Sequence, residues 1–353
     1  MSTFRLSDDG RLFACVTGGS SAEFEGYVQV YSPEYELVEQ FGLPFSPTAI
    51  DLDSSGNMFV GGMGTLCKMN PEGEILLTTG APNLEGVDFE ELKAEAMAEA
   101  EAMMERQRES IQSQIDATQA QIDELLAEQE SEGELSRTEQ RKLDSLERRL
   151  EAYERMTDQQ AEINEQMIEL RLQSKGSITT IAVTERDVFV STAARSGSGY
   201  EVYRMTHTLE DAEQVVNSLR GCCGQMDIHA MDDRIYIAEN CKFNVGVYDR
   251  DGDEVQRFGA KLSGENQGFG GCCNPMNVIC CPDGEVLTAE SSLGKIKRYD
   301  ADGELIQYVG EASLGGGCKH VAIGFDQVRD RYYVQNAGPH EICVRELKDA
   351  ENE

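Results

Sequence analysis

Six copies of one unit occupy most of this chain of 353 residues. Each copy is about 40 residues long, the period that four-stranded propeller blades produce. The clearest copy, residues 274–310, reads NPMNVICCPDGEVLTAESSLGKIKRYDADGELIQYVG. A strand over 276–280 meets a Pro-Asp-Gly turn, a second over 285–289 leads into a polar loop, and a third covers 295–299. Asp302-Gly303 then separates it from a fourth that carries Leu305, Ile306, Tyr308 and Val309. Asp-Gly between apolar runs is a strong hairpin signal. The unit recurs at 224–259 (GQMDIHAMDDRIYIAENCKFNVGVYDRDGDEVQRFG), at 45–80 (FSPTAIDLDSSGNMFVGGMGTLCKMNPEGEILLTTG) and at 4–42, with more divergent copies at 177–219 and 319–347. The expected fold is therefore an all-β six-bladed β-propeller. Its closure is open at this stage, because the last copy stops after a third strand at 341–347 and little chain precedes Phe4.

Between Gly80 and Ser177 the composition changes: Gly and aromatic residues nearly vanish, and Glu, Gln, Ala, Arg and Leu dominate. Asp88 with Glu91, and Ser136 with Glu139, form capping-box patterns, Glu132-Gly133-Glu134 breaks the run, and Gly176 stands where a helix is expected to end. Ile111, Ile115, Thr118, Ile122 and Leu125 recur at heptad spacing, as do Leu143, Leu146, Leu150 and Tyr153, with Met156, Ile163, Met167 and Leu170 continuing in a shifted phase. These runs predict an antiparallel α-helical coiled-coil hairpin inserted in the propeller, each arm on the order of 60 Å long. The expected domains are residues 1–84 (two blades), 85–176 (the hairpin) and 177–353 (four blades). An arm of this size exceeds what joins two blades, so it is expected to serve self-association or docking of a protein partner.

The blade units resemble NHL-type propeller repeats in the Pro near the first strand, the D-x-x-G turn and the Y-D-x-D-G-E turn before the last strand. The resemblance covers about three quarters of the chain by its repeat period; it implies the fold and no particular activity.

The chain holds 65 acidic and 31 basic residues, a net charge of −34. Such a surface repels nucleic acid and anionic membranes and suits solubility or the steering of cations. No apolar run is long enough to span a bilayer and no signal peptide is visible, so a cytoplasmic protein is expected, an exported form with its leader removed being the alternative.

Chemistry concentrates in the cysteines, of which there are 11. An odd number excludes complete intramolecular disulfide pairing. Aligning the blades puts Asp227, Asn277 and His320 at equivalent positions early in the innermost strands of the fourth, fifth and sixth blades. Cys222-Cys223 and Cys272-Cys273 stand four and five residues before those points, and Cys318 two residues before His320. Loops leading into innermost strands converge at one channel mouth, so five thiols from three blades are expected to approach one another. The flanking segments GCCGQMD, GGCCNPMN and GGGCKH are rich in Gly, which permits close approach and unusual dihedrals. They are similar to those of a group of bacterial propeller proteins with GCCGQ-, GFGGCCNPMN- and GGCKH-like motifs in successive blades, a likeness that implies a fold and no established activity.

Thiolates are soft ligands for iron–sulfur clusters, zinc or Cu(I). The expected site comprises Cys222, Cys223, Cys272, Cys273 and Cys318, with His320 as a further ligand, most readily an iron–sulfur cluster acting in electron transfer or metal handling. Vicinal disulfides within the Cys-Cys pairs, or inert packing, would leave a cofactor-free scaffold or interaction propeller. A further alternative is a Ca²⁺-dependent, lactonase-like hydrolase using Asp227, Asn277, His320 and His229. Of the remaining thiols, Cys15, Cys67 and Cys343 read as core, Cys280 and Cys281 as opposite faces of one strand, and Cys241 as a loop residue. His207 and His340 read as surface residues.

Overall fold

The computed structural model describes residues 1–19, 22–158, 168, 172–196, 198–263, 268–281, 283–291, 293–336, 338 and 341–346. The chain forms two compact units: residues 1–86 with 173–353, and residues 87–172.

The larger unit is a set of six antiparallel sheets, each running in chain order from its first strand outward. The first holds β1 (Thr3–Leu6), β2 (Leu12–Thr17), β3 (Gly26–Tyr31) and β4 (Leu37–Leu43), and the second β5 (Pro47–Leu52), β6 (Met58–Gly62), β7 (Thr65–Met69) and β8 (Ile75–Gly80). The third holds β9 (Ile178–Val183), β10 (Val188–Ala193), β11 (Tyr200–Met205) and β12 (Glu213–Leu219), and the fourth β13 (Ile228–Met231), β14 (Arg234–Glu239), β15 (Asn244–Asp249) and β16 (Glu254–Phe258). The fifth holds β17 (Asn277–Cys280), β18 (Val286–Ala289), β19 (Lys295–Tyr299) and β20 (Leu305–Glu311), and the sixth β21 (Ile323–Asp326), β22 (Arg331–Asn336) and β23 (Glu341–Glu346). The first strands adjoin in the order β1, β5, β9, β13, β17, β21, and β21 adjoins β1 again. This arrangement is consistent with a propeller.

Burial explains the sequence pattern strand by strand. Second strands such as β6 and β10 are covered on both sides by neighbouring sheets and are buried almost without a break, opening on the apolar runs Met58-Phe59-Val60 and Val188-Phe189-Val190. Fourth strands such as β4 and β8 form the outer rim and are largely exposed. Each apolar cluster is shared by two successive sheets, as where Phe59 and Leu66 of the second meet Ile178 and Val190 of the third.

The closure that the sequence left open is resolved without a shared strand. β1 pairs only within the first sheet, and the sixth sheet has three strands among the described residues. Phe4, Leu12 and Ala14 pack against Ala322 and Tyr333, so burial of apolar surface joins the last sheet to the first. Polar contacts add to this seam: Gln335 Nε2 donates to the Met1 carbonyl at 3.3 Å, and the Tyr35 and Tyr333 rings meet edge to face at 6.4 Å.

Successive first strands are also tied by side chains near the channel. The Val183 N–H donates to Asp51 Oδ2 at 2.7 Å, the Val278 N–H to Asp227 Oδ2 at 2.8 Å, and the Val321 N–H to Asn277 Oδ1 at 2.8 Å. Thr180 Oγ1 donates to the other oxygen of Asp227 at 3.0 Å. Between these residues the channel retains a cavity of about 20 Å³, room for a single water.

The smaller unit contains α1 (Phe89–Glu132) and α2 (Arg137–Asp158). Asp88 caps α1 by accepting from the Glu90 N–H at 2.8 Å, and the reciprocal box at α2 forms: Ser136 N donates to Glu139 at 2.7 Å, and Glu139 N to Ser136 Oγ at 3.3 Å. Ile122 and Leu125 of α1 pack with Leu143 and Leu146 of α2, and Arg149 donates to Thr118 at 3.3 Å. Met156 is exposed, and Ile163, Met167 and Leu170 lie outside the described residues. Among the described residues, no helix is long and apolar enough to cross a membrane.

Lys175 and Gly176 belong to the larger unit. The Lys175 carbonyl accepts from Asn83 Nδ2 at 2.7 Å, and the Gly176 carbonyl from the Gly64 N–H at 2.7 Å. Gly176 is not the left-handed helix terminus that its position suggested. It is glycine because a Cβ there would stand 3.0 Å from the Gly64 Cα.

Asp227→Ala leaves the Val278 N–H without its acceptor, while the Thr180 hydroxyl keeps the Met226 carbonyl at 2.9 Å. It is expected to cost about 3 kcal/mol, read as a lowered urea midpoint at unchanged slope. Asp227→Asn, which keeps one acceptor, should cost less. Equal stability of all three proteins would show that this tie does not hold the sheets.

Candidate metal centre

Three loops reach the same end of the channel: residues 221–227 before β13, 270–276 before β17 and 315–322 before β21. Their backbone is unusual in a repeated way. Cys223 (φ 57°) and Cys273 (φ 60°), the second members of the two pairs, both adopt the left-handed conformation, as do Gly224, Gly271, Gly315, Gly316 and Gly317. For a residue with a Cβ this costs about 1 kcal/mol. In an extended chain, adjacent side chains point to opposite faces. The left-handed turn abolishes that alternation and brings Cys222 Sγ to 3.6 Å from Cys223 Sγ.

Each loop is pinned by a residue just beyond the second strand of its own sheet or at its end. Asn240 Oδ1 accepts from the Cys222 N–H at 2.8 Å, while its Nδ2 donates to the Gln225 carbonyl at 3.0 Å. Ser291 Oγ donates to the Cys273 carbonyl at 3.2 Å, and its N–H to Asn274 Oδ1 at 2.6 Å. Asn336 Oδ1 accepts from the Ser313 N–H at 2.8 Å. These three occupy matching places in the strings AEN, AES and VQN.

The result is a compact thiol cluster that could bind a metal. Cys223 Sγ lies 3.5 Å from Cys273 Sγ, Cys318 Sγ lies 3.7 Å from Cys273 Sγ, and Cys272 Sγ lies 3.3 Å from Cys318 Sγ. The sulfurs form two trios, Cys222 with Cys223 and Cys273, and Cys272 with Cys273 and Cys318, each within 4.8 Å throughout. Cys273 is common to both and is buried, whereas Cys223 and Cys272 are exposed. Burial raises the Cys273 thiol well above its ordinary value and pushes Cys223 up to about 11. Hydrogen bonding from Cys272 lowers Cys318.

Cys241 is the thiol that periodicity could not place. It is exposed, belongs to neither trio, and lies near enough to Cys222 for that thiol to add to desolvation in disfavouring its ionisation. Its neighbour Asn240 is the residue that pins the Cys222 loop, so a sixth thiol stands beside the cluster. The available signal was the AEN–AES–VQN alignment, which marks the tip between second and third strands as lying against the leading loop.

His320 belongs to neither trio. Its Nε2 is 2.6 Å from Asn277 Nδ2, and burial lowers its basicity. Asp227 and Asn277 use acceptor oxygens on the strand N–H groups described above, and His229 Nδ1 accepts from the Cys280 N–H at 3.3 Å. The equivalence of Asp227, Asn277 and His320 is thus expressed as ties between neighbouring first strands. Among the described residues, the only trios of close His, Cys, Asp or Glu ligand atoms are the two thiol trios.

The other thiols are distributed by strand geometry. Cys15 and Cys67 are fully buried. Cys280 and Cys281 are both buried, in different apolar clusters on the two sides of the fifth sheet. Cys343 is only half-buried and accepts from Asn336 Nδ2 at 2.7 Å, at an outer edge rather than in a core. His207 is half-buried, its Nε2 2.9 Å from the Thr184 carbonyl, rather than a surface residue. His340 lies outside the described residues.

No protein-family profile and no curated protein sequence matches the chain. Among solved structures, virginiamycin B lyase from Staphylococcus aureus is similar at 11% identity and TM-score 0.45, over 98% of this chain and 83% of that one. Hydrazine synthase from Kuenenia stuttgartiensis is similar at 10% identity and TM-score 0.49, over 98% and 76%. The calcium-binding protein regucalcin from Agrobacterium tumefaciens is similar at 11% identity and TM-score 0.48, over 99% and 83%.

Proposed function

We propose that this chain is an NHL-type six-bladed propeller whose channel mouth binds soft metal ions through thiolates, and that its role is metal handling. One observation carries the reading: five thiols from three successive sheets gather into two trios around the shared Cys273. With zinc–sulfur bonds of about 2.3 Å, a tetrahedral thiolate site has sulfur–sulfur edges of about 3.8 Å. The neighbouring sulfurs here stand 3.3 to 3.7 Å apart. Such spacing suits single ions. An iron–sulfur cluster needs its thiolates spread around a larger body, so the electron-transfer role is the weaker form of the proposal. Three thiolates per trio match trigonal Cu(I), with Cys273 bridging two ions; zinc would take a fourth ligand in each. The calcium-dependent hydrolase has less support, because Asp227 and Asn277 are occupied in holding strands together.

The test is titration of reduced, chelator-treated protein with Cu(I) under anaerobic conditions. Two ions per chain are expected, with sulfur-to-metal charge-transfer absorption in the near ultraviolet. Cys273→Ser should lose at least one ion, while Cys15→Ser keeps two. Iron and sulfide in freshly isolated protein would favour the cluster instead. Failure to bind Cu(I) or zinc at micromolar concentration would overturn the metal reading.

The helical insertion is read as an antiparallel coiled-coil hairpin that mediates self-association or partner docking. The seam of Ile122, Leu125, Leu143 and Leu146 is internal, yet Met97, Met103, Leu126 and Met156 remain exposed. Replacing residues 88–172 by a short Gly-Ser linker should reduce the mass measured by light scattering to that of one chain. An unchanged oligomer, or a full-length protein that is already monomeric, would remove self-association.

A further inference from the structure

We infer that the thiol cluster is also a site of thiol–disulfide exchange with low-molecular-weight disulfides, and that the bonds it forms join neighbouring sheets: Cys272 to Cys318, and Cys223 to Cys273. The inference shares its thiols with the proposed metal site but does not depend on an ion being bound there.

Distances set the pairing. The shortest separation is 3.3 Å between Cys272 and Cys318, which lie in the loops of the fifth and sixth sheets. Cys223 and Cys273, from the fourth and fifth, follow at 3.5 Å, ahead of the adjacent pair Cys222–Cys223 at 3.6 Å. A disulfide is about 2.05 Å long, so the two pairs must close by about 1.3 and 1.5 Å. Gly271 beside Cys272, and Gly315, Gly316 and Gly317 before Cys318, supply backbone freedom for that movement. A bond between adjacent residues has to close a small ring through their shared peptide instead, and such bonds are strained.

Access sets the order. Cys272 is exposed and Cys318 partly so, whereas Cys273 is buried. The Cys272–Cys318 bond should therefore form first. One of its two thiolates attacks a sulfur of the small disulfide, forming a mixed disulfide and releasing one small thiolate. The second protein thiol, losing its proton to that thiolate or to solvent, attacks the mixed bond and releases the other. The protein gives up two electrons and two protons, and the small disulfide is reduced to two thiols. The Cys272–Cys318 bond removes two sulfurs from one trio, and the Cys223–Cys273 bond removes two from the other together with the shared Cys273, so formation of both bonds and metal loading exclude each other.

The experiment treats reduced, metal-free, full-length protein with oxidised glutathione, traps residual thiols with N-ethylmaleimide, and maps the linked peptides by mass spectrometry without reduction. The expected first product links the peptide carrying Cys272-Cys273 to that carrying Cys318. It should vanish in Cys272→Ser and persist in Cys273→Ser, with the far-ultraviolet circular dichroism of both variants unchanged. If a Cys272 variant fails to fold, the time course of trapped thiols in the unsubstituted chain still decides the order of pairing. Preloading with Cu(I) should slow the linkage at least tenfold. Formation of Cys222–Cys223 or Cys272–Cys273 bonds instead, or thiols that all stay free, would overturn the inference. A chain that binds no Cu(I) yet yields the Cys272–Cys318 link loses the metal reading and keeps this one.

Discussion

The candidate site depends on a hydrogen bond that no thiol makes. Near the channel, Asp227 accepts from the N–H of Val278, and Asn277 from that of Val321. Each bond ties the start of one first strand to the start of the next. A buried strand N–H left without an acceptor costs about 1–3 kcal/mol, so these ties fix how far each sheet is advanced along the channel. The cysteines stand only a few residues upstream. A shift of one residue would reverse the faces of the strand and carry the thiols of one loop away from those of the next. The same offset in the fourth and fifth sheets is thus what makes the Cys223–Cys273 approach possible.

Strain and pinning then act on the loops so placed. Cys223 and Cys273 hold left-handed backbones that a residue with a Cβ disfavours. They persist because Asn240 and Ser291 hold the surrounding loop by several hydrogen bonds. Strain held in place by its surroundings concentrates at functional sites. Here it has an identifiable result, since it turns adjacent thiols toward one another and leaves Cys273 between two sets of partners. Inert packing would need neither the strained backbone nor the exposure of Cys223 and Cys272.

The architecture was legible because burial in such a ring writes itself into the strands. Second strands lie between sheets and are buried almost throughout, while the exposed rim strands of the second, fourth and fifth sheets are entered through Glu-Gly or Asp-Gly turns. The predicted strand over 295–299 matches β19 for this reason. The convergence of the five cysteines was readable from the same period. What the period could not carry was side-chain direction. His320 aligned with Asp227 and Asn277, yet it turns to Asn277 and leaves the thiols. Cys241 stands beside the Cys222 loop because the side chain of its neighbour Asn240 holds that loop, a bond that the repeat period does not encode. Ring closure was equally hidden, because Phe4 meets Tyr333 through packing of residues far apart in sequence and not through a strand with a recognisable pattern.

The electrostatic setting favours a cation over free thiolates at this mouth. The chain carries 65 acidic and 31 basic residues, so its field attracts cations and opposes further negative charge. Burial raises the Cys273 and Cys223 thiols, and the crowding of sulfurs means that ionising one disfavours ionising its neighbours. Without a partner ion, the Cys273 and Cys223 thiols stay protonated near neutral pH. A soft cation reverses this, because thiolate ligands must lose their protons and the metal charge stabilises the anions that result. Metal binding at these thiols would therefore be coupled to proton release and would strengthen as pH rises. A buried thiol such as Cys15, whose ionisation burial and the neighbouring Cys67 disfavour, has too few sulfurs about it for a comparable route to ionise. The distinction between a structural cysteine and a ligand thus lies less in burial than in whether enough sulfurs surround one point to share a positive charge.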